Sequence, residues 1–599
     1  MKSNPASFIP LRILCVLCAA VVCAIAGPAQ ATIRYEVSVA EPEKHVFHVK
    51  MTVPDVKDEL TVQLPAWNAL YQIRDFAYRV QDIRARDAGD ARLAMVKLDK
   101  QTWQVRGRTA VTLEYAIVWD DAGPFSTQLN ASHAFINLAT ILFYIPMRRG
   151  EASRIAFTGL REGWSVAVAL RPGENSTTFV AASYDALVDA PVEIGEFQQF
   201  RFEAPGPGRS VAIRVVIHGD GWDQERVTQS LKKIVATETG IMRDVPFDEF
   251  LFIFHFGTAA GGGGGGMEHA NSTAIHTGFA AGFEGVTAHE FFHLWNVKRI
   301  RPRTLEPVDY TKENWTRALW FAEGVTSTYG SYTMVRSGLW SREQFYNDLA
   351  GQVMELESRP AHSWKSAEEA SLDAWLEKYN QYRRPEYSIS YYNKGQLLGV
   401  LLDVLIRDAT DNRAGLDDVL RDLNENFAKR GRFYDETKDL RAAVERAAGK
   451  SFGDFFAKYV SGTEELPCKD VLALAGLRLK AMGQVRADLG FSVGRGPDAV
   501  PTVMQLDSGG GAEKAGLREG DVLLELNGAA MPRNVTNWLR EHPPGEIVRL
   551  KVRRNGAERE VSYALGQRQE STYRVQDDET ATEKQRRIRE GMLKGITDR

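Results

Sequence analysis

The chain has 599 residues, of which 44% are hydrophobic, 25% charged and 10% aromatic, a globular composition that excludes a disordered or fibrous protein. At about 100 to 200 residues per domain, this length requires several domains, each burying its own core. The 74 basic and 78 acidic residues leave a net charge of -4, so no strong field draws the chain toward nucleic acid or an anionic membrane surface.

Lys2 and Arg12 precede an apolar run, Ile13 to Ala26, which ends in Gly27-Pro28-Ala29-Gln30-Ala31. A basic start, a short apolar stretch and small residues at the end predict a cleavable signal peptide over 1–31. The run falls short of the roughly 20 residues that cross a bilayer. The expectation is an exported protein, periplasmic or extracellular, with no membrane span in the mature chain. Cys15, Cys18 and Cys23 leave with the signal, and Cys468 alone remains, so no internal disulfide is expected. Domains of this size have cores large enough to do without one.

From about Tyr35 to His218 the sequence alternates with period 2, as in Glu59-Leu60-Thr61-Val62-Gln63-Leu64 and Ser210-Val211-Ala212-Ile213-Arg214-Val215. This pattern predicts an antiparallel β-sandwich over 32–219. Glu225 to Thr239 has the spacing of an amphipathic helix, Phe250 to Phe256 that of a buried strand, and helical periodicity dominates from Val286 to about Tyr459. These features predict an α+β domain at 220–345 followed by a helical domain at 346–480. Leu489-Gly490-Phe491, then Gly509 to Leu517, then Asp521 to Gly528 resemble the loop, short helix and strand of a PDZ domain, expected over 481–567. In such a domain the amides of Leu489, Gly490 and Phe491 would receive a peptide carboxylate while the adjoining strand edge pairs with the peptide. The alternative is a packing module that binds no peptide. The charged tail, 568–599, is expected to be a solvated end.

Five of the 11 histidines fall between His255 and His293, and two form His289-Glu290-Phe291-Phe292-His293. Residues four apart share one helix face, so both imidazoles can reach one zinc ion, with Glu290 beside them to hold a water. A catalytic zinc needs a third ligand and keeps one open position. Glu313 and Glu323, 20 and 30 positions beyond His293, both qualify. Glu323 is favoured, because a carboxylate in the apolar stretch Leu319-Trp320-Phe321-Ala322-Glu323 needs a cation to offset its burial.

Upstream, the glycine run Gly261 to Gly266 leads into Met267-Glu268-His269. Glycine lets a substrate backbone come close, so Gly265, Gly266 and Met267 are candidate substrate contacts. Glu268 is a candidate anchor for a protonated amino terminus. Ser390-Tyr391-Tyr392-Asn393-Lys394-Gly395 opens a helix, and the Tyr392 phenol there could donate to an oxyanion.

These motifs, in this order, resemble the glycyl aminopeptidase family, PDZ-containing gluzincin zinc metallopeptidases. The long stretch His289 to Pro302 carries most of the resemblance, and Leu70-Tyr71-Gln72-Ile73-Arg74-Asp75-Phe76 is similar to that family's amino-terminal domain. A more distant likeness is to aminopeptidase N, whose Gly-x-Met-Glu-Asn, Trp-x-x-Glu-Gly and Tyr-x-Lys-Gly motifs are similar to the segments around Glu268, Glu323 and Tyr392. His269 stands where those relatives have asparagine, and the interval from His293 to Glu323 is longer than theirs. The resemblance implies a multidomain α+β protein with a thermolysin-like zinc peptidase domain. It also implies one zinc ion per chain, peptide substrates, and a preference for glycine or alanine as first residue. A zinc endopeptidase of the same fold and a non-catalytic peptide-binding or chaperone protein are the competing readings.

Overall fold

The computed structural model describes residues 32–257, 265–278, 282–377, 384–495, 500–532 and 534–598. The signal-like leader and Gly261 to Gly264 lie outside the described residues. Among the described residues no helix is long and apolar enough to cross a membrane.

Alternation builds the amino-terminal domain. In the strand Ile33–Glu41, Ile33, Tyr35, Val37 and Val39 are buried while Arg34 and Glu36 face out. It sits inside a seven-stranded sheet, with a four-stranded and a three-stranded sheet completing the domain. One pairing departs from the antiparallel expectation, since Ile33–Glu41 runs parallel to Ser153–Thr158. The intervening chain is long enough to make that crossover.

The domain's edge also differs from the sequence reading. Gln198–Gly206 and Arg209–His218 alternate like sandwich strands but belong to the next sheet. There Arg209–His218 runs parallel to Glu249–Phe256, which runs parallel to Ser272–Thr277, and Gly265–Glu268 forms an antiparallel edge. Period 2 reports a half-buried strand without saying which sheet it joins, so 219 was too late a boundary. Glu249–Phe256 reads as continuous apolar sequence because both of its faces are covered. Phe250 and Phe252 pack on Phe291, and Leu251 and Ile253 pack with Phe135 and Ala274.

The helices beyond 346 do not form a core of their own. Leu398, Leu402, Leu420 and Val444 share one apolar core with Phe291 and Trp320. The helix Tyr391–Ala409 is buried along most of its circumference, as expected of a helix that is apolar nearly all round.

The PDZ-like unit has a separate small core around Leu489, Leu523, Val548 and Leu550. It is joined to the rest by an antiparallel ribbon of Leu477–Asp488 with Gly566–Asp577. The tail is not solvated. Thr582 caps the helix Glu583–Lys594, and Ile588, Met592 and Leu593 are buried against the main core. Its high charge masked a narrow apolar stripe of residues four apart, Ile588 and Met592, which is enough to dock one helix face.

The sandwich and the five-stranded sheet that follows it meet at a buried cluster of ionisable groups. Glu193, fully buried, accepts from His133 Nδ1 and His255 Nε2, each at 2.9 Å. The ring of His218 stacks on His133 and that of His276 on His255, both with centroids 4.0 Å apart. Burial opposes ionisation of Glu193, but the two histidines it binds hold its carboxyl well below the usual range. The outer histidines move the other way. Burial and the neighbouring His133 push His218 down from 6.5 to about 4, against the pull of Glu193 and Asp220. Burial, with His255 next, pushes His276 well below its usual value. His276 pairs in register with Gly265 of the edge strand, so the cluster lies directly behind the glycine-rich segment.

Both outer histidines resist protonation when folded but titrate near 6.5 once unfolded. For His218 the stabilising contribution is therefore complete above about pH 6.5 and is lost as pH falls toward about 4, and His276 acts in the same direction. Substituting His218→Gln removes one such group. Denaturant titrations across this window should show a shallower acid loss of stability in the variant than in the parent.

Candidate active site

The helix Glu284–Phe292 ends at its second motif histidine, with His293 as the capping residue. His289 and His293 occupy the last turn, where the exposed carbonyl end of the helix favours positive charge. Their Nε2 atoms converge to 3.0 Å. Each ring is oriented from behind. His293 Nδ1 donates to the Asn296 carbonyl at 2.6 Å, and His289 Nδ1 lies 3.3 Å from Ser327 Oγ, whose own hydroxyl donates to the Glu323 carbonyl. With Nδ1 engaged, Nε2 is the atom presented to the centre.

Glu323 lies in a π-helical turn, Trp320–Val325, a widened geometry often found at functional sites. Its side chain is 6% exposed, with Oε2 lying 3.2 Å from His293 Nε2 and 3.6 Å from His289 Nε2. Asn296 fastens this turn to the histidine helix, its amide donating to Phe321 O at 2.9 Å while its carbonyl accepts from Thr326 Oγ1. Glu313 is outside this donor group, in an irregular segment before the turn.

Two glycines bring the next element in. A Cβ on Gly324 would stand 2.5 Å from Gly395 Cα, and one on Gly395 would stand 2.8 Å from Gly324 Cα and overlap the Trp320 carbonyl. Their absence of side chains lets the Tyr391–Ala409 helix lie directly against the Glu323 turn. Ser390 caps that helix by accepting from Asn393 N, which places Tyr392 at its mouth, its ring centroid 6.1 Å from that of His289.

The edge strand completes the site. A Cβ on Gly266 would overlap the Glu290 side chain, so glycine there lets the strand and the histidine helix touch. Donor atoms of Glu268, Glu290 and His293 lie within 4.8 Å of one another. His269 turns away to Asp189 of the sandwich domain, which also accepts from Lys298 Nζ at 2.6 Å and from the Ala270 amide. A cavity of about 790 Å3 lies between the domains, lined by Trp67, Tyr71, Phe125, Glu268, Glu290 and Tyr392 among others.

The electrostatics fit a small divalent cation. Burial disfavours charge on Glu323, yet His293 and His289 hold its carboxyl well below the usual range. In the same pair, burial opposes protonation of His293 but Glu323 outweighs it and raises the imidazole to about 10. The carboxylate thus demands a positive charge at the point where three donors converge. Glu290 differs. Burial, with Glu268 and Glu323 close by, pushes it up to about 8. Its Oε2 is buried with no hydrogen-bond partner among the described residues, so a group yet to arrive is its natural partner. Asn296 and Ser327 orient the histidines and had no assigned role in the sequence reading. Their adjacency to His293 and Glu323 was the available signal.

At the PDZ-like loop, Tyr563 OH donates to Leu489 O at 2.8 Å, and Gly490, at φ +72°, donates its amide to Asp488 Oδ1. One of the three amides expected to face a peptide carboxylate is therefore engaged by the chain's own side chain.

A paired-histidine and glutamate donor set, a carboxylate beside it and an edge strand with a second carboxylate are the parts of a zinc metallo-aminopeptidase. The comparisons agree. Residues 282–398 match the M61 glycyl aminopeptidase family, 34–196 its N-terminal domain, and 487–565 a PDZ domain. Over those residues the chain is similar to the M61 glycyl aminopeptidases. Its fold is similar to that of an aminopeptidase N family protein from Idiomarina loihiensis, with 24% identity, TM-score 0.83, and coverage of 94% of this chain and 100% of that one. An M1 zinc metallopeptidase from Deinococcus radiodurans is more distant, at 14% identity and TM-score 0.44 over 73% of this chain and 95% of that one. No curated protein matches.

The glycine contact offers a direct check. Substituting Gly395→Ala forces the helix off the Glu323 turn. Unfolding free energy should fall by about 1–3 kcal/mol in denaturant titrations, and peptidase activity should fall with it at temperatures where the variant remains folded.

Proposed function

We propose that the chain removes single residues from the amino terminus of peptides, with glycine or alanine preferred in first position. Peptide hydrolysis needs a Lewis acid, a base for water and a donor for the oxyanion. We assign His289, His293 and Glu323 to hold one zinc ion, which when bound polarises the scissile carbonyl and makes water more acidic. Glu290, beside the paired histidines and facing the cavity, takes the proton of the attacking water and delivers it to the departing amine. Tyr392 donates to the oxygen that becomes anionic.

The observation that carries the exopeptidase reading is that two donor groups share His293, one being His289–His293–Glu323 and the other Glu268–Glu290–His293. An α-ammonium nitrogen is about 2.5 Å from its own carbonyl carbon, two bonds away. An amino terminus held by Glu268 therefore brings the first peptide bond, rather than a later one, to Glu290. Gly265, Gly266 and Met267 offer the edge strand along which the substrate main chain pairs. The glycine or alanine preference rests on the family match.

The PDZ domain supports a second peptide contact, with the carboxylate loop Leu489, Gly490 and Phe491 as its site. The signal-like leader supports export to the periplasm or the extracellular space.

Glu290→Gln should retain one zinc per chain by metal analysis while turnover of glycyl and alanyl amides falls by about 10²–10⁴; full turnover in that metal-replete variant would remove the base assignment. For Glu268→Ala, cleavage of peptides with a free amino terminus should fall far more than cleavage of blocked ones. Equal cutting of free and blocked peptides by the parent would establish an endopeptidase instead.

A further inference from the structure

Metal-binding carboxylates are themselves oriented by hydrogen bonds, and the partner that does this for Glu323 comes from the other domain. Oε2 faces the two imidazoles, and Oε1 accepts from the phenol of Tyr71 at 3.2 Å. Tyr71 belongs to the sandwich domain, but its ring packs against the catalytic core, edge-on to Trp375 and Tyr391 at 5.8 and 6.4 Å between centroids.

The segment that carries Tyr71 is a closed loop. Ala66 O accepts from the amides of both Arg74 and Asp75, at 2.7 and 2.9 Å, and the Ala66 amide donates to Tyr310 O. Arg74 and Asn68 both donate to Phe125 O, and Trp67 Nε1 donates to Asp309 O. At its tip Leu70 and Tyr71 are both left-handed, with φ of 64° and 47°. Such a residue is costly for a side chain larger than glycine and persists only where its surroundings over-determine it. A loop pinned at its base and strained at its tip is a device for holding one side chain in one place.

We propose that Tyr71 is a positioning residue for the metal centre. Its hydroxyl fixes which oxygen of Glu323 is offered to the cation, so the sandwich domain completes the zinc site of its neighbour. The inference rests on the zinc assignment made above. The geometry separates two jobs of the same side chain. The ring packs between the domains, and the hydroxyl alone orients the carboxylate. Removing the hydroxyl with the ring kept isolates the second job.

The experiment compares the zinc-loaded parent, Tyr71→Phe and Tyr71→Leu by competition with a chromogenic chelator, alongside melting temperature and kinetics on an alanyl amide. Outer partners of metal ligands are typically worth 10–100-fold in affinity. Tyr71→Phe is therefore expected to hold zinc roughly 10–100-fold more weakly than the parent, with little change in the melting temperature of the metal-stripped form and with kcat falling more than KM rises. Cobalt-substituted Tyr71→Phe should also show a displaced visible spectrum, as the altered carboxylate changes the ligand field. Tyr71→Leu should lose both affinity and thermal stability. Zinc held as tightly by Tyr71→Phe as by the parent overturns the proposal, as does a loss confined to Tyr71→Leu. A parent that takes up no zinc would instead defeat the assignment of the metal site itself.

Discussion

The structure is arranged around one unfavourable act, the burial of the Glu323 carboxylate among aromatic and aliphatic side chains. A buried carboxylate is tolerable only with a positive charge against it and with its remaining lone pairs satisfied. The nearby features answer that demand. Two imidazoles converge on Oε2, a phenol donates to Oε1, and the π-helical turn aims the group at the cavity. Asn296 joins the two parts covalently remote in sequence, bonding both to His293 through its carbonyl and to the Glu323 turn through its amide. The main-chain carbonyl of Asn296 also accepts from Thr326 Oγ1, so backbone and side chain together hold the two parts in line.

How much of this is legible in sequence depends on the distance over which each interaction acts. His289, Glu290 and His293 lie within a single turn, so their common face follows from helix periodicity alone. Glu323 could be favoured over Glu313 because its neighbours are apolar, which is again a local property. The glycines in Trp320-Phe321-Ala322-Glu323-Gly324 and Tyr392-Asn393-Lys394-Gly395 were visible, but their reason was not. They touch each other across 71 positions of chain, and no local pattern announces a helix crossing. The assignment of Gln198–Gly206 and Arg209–His218 failed for the same cause, since alternation is a statement about one strand and sheet membership is a statement about its partner. The docked tail was missed because charge dominated its composition while two residues carried its packing.

The sandwich domain forms part of the wall of the candidate site. Three contacts bind it to the site at different depths. Tyr71 reaches the Glu323 carboxylate, Asp189 gathers His269, Ala270 and Lys298 at the end of the edge strand, and Glu193 ties His133 to His255 behind that strand. Two of the three are buried ionic contacts, whose net contribution to stability is small because desolvation consumes most of the attraction. Their value is in geometry. A mispaired domain would leave buried charges without partners, which is a steep cost, so the native alignment of cavity wall and histidine helix is strongly favoured over near alternatives.

The placement of the PDZ unit follows the same logic of constrained geometry. Each strand of the ribbon has 12 residues, a length of about 40 Å at strand rise. Pairing along its whole length makes it a stiff arm, unlike the random-coil spacers that join independently moving domains. Its base is held where Asp577 accepts from Tyr346 OH at 2.7 Å and from Arg342 at 3.0 Å, and the docked helix Glu583–Lys594 follows directly. A flexible tether would raise the local concentration of a captured peptide without orienting it. A stiff arm anchored at both chain ends instead restricts where a peptide held by the PDZ unit can lie relative to the cavity, so any coupling between the two sites must be directional.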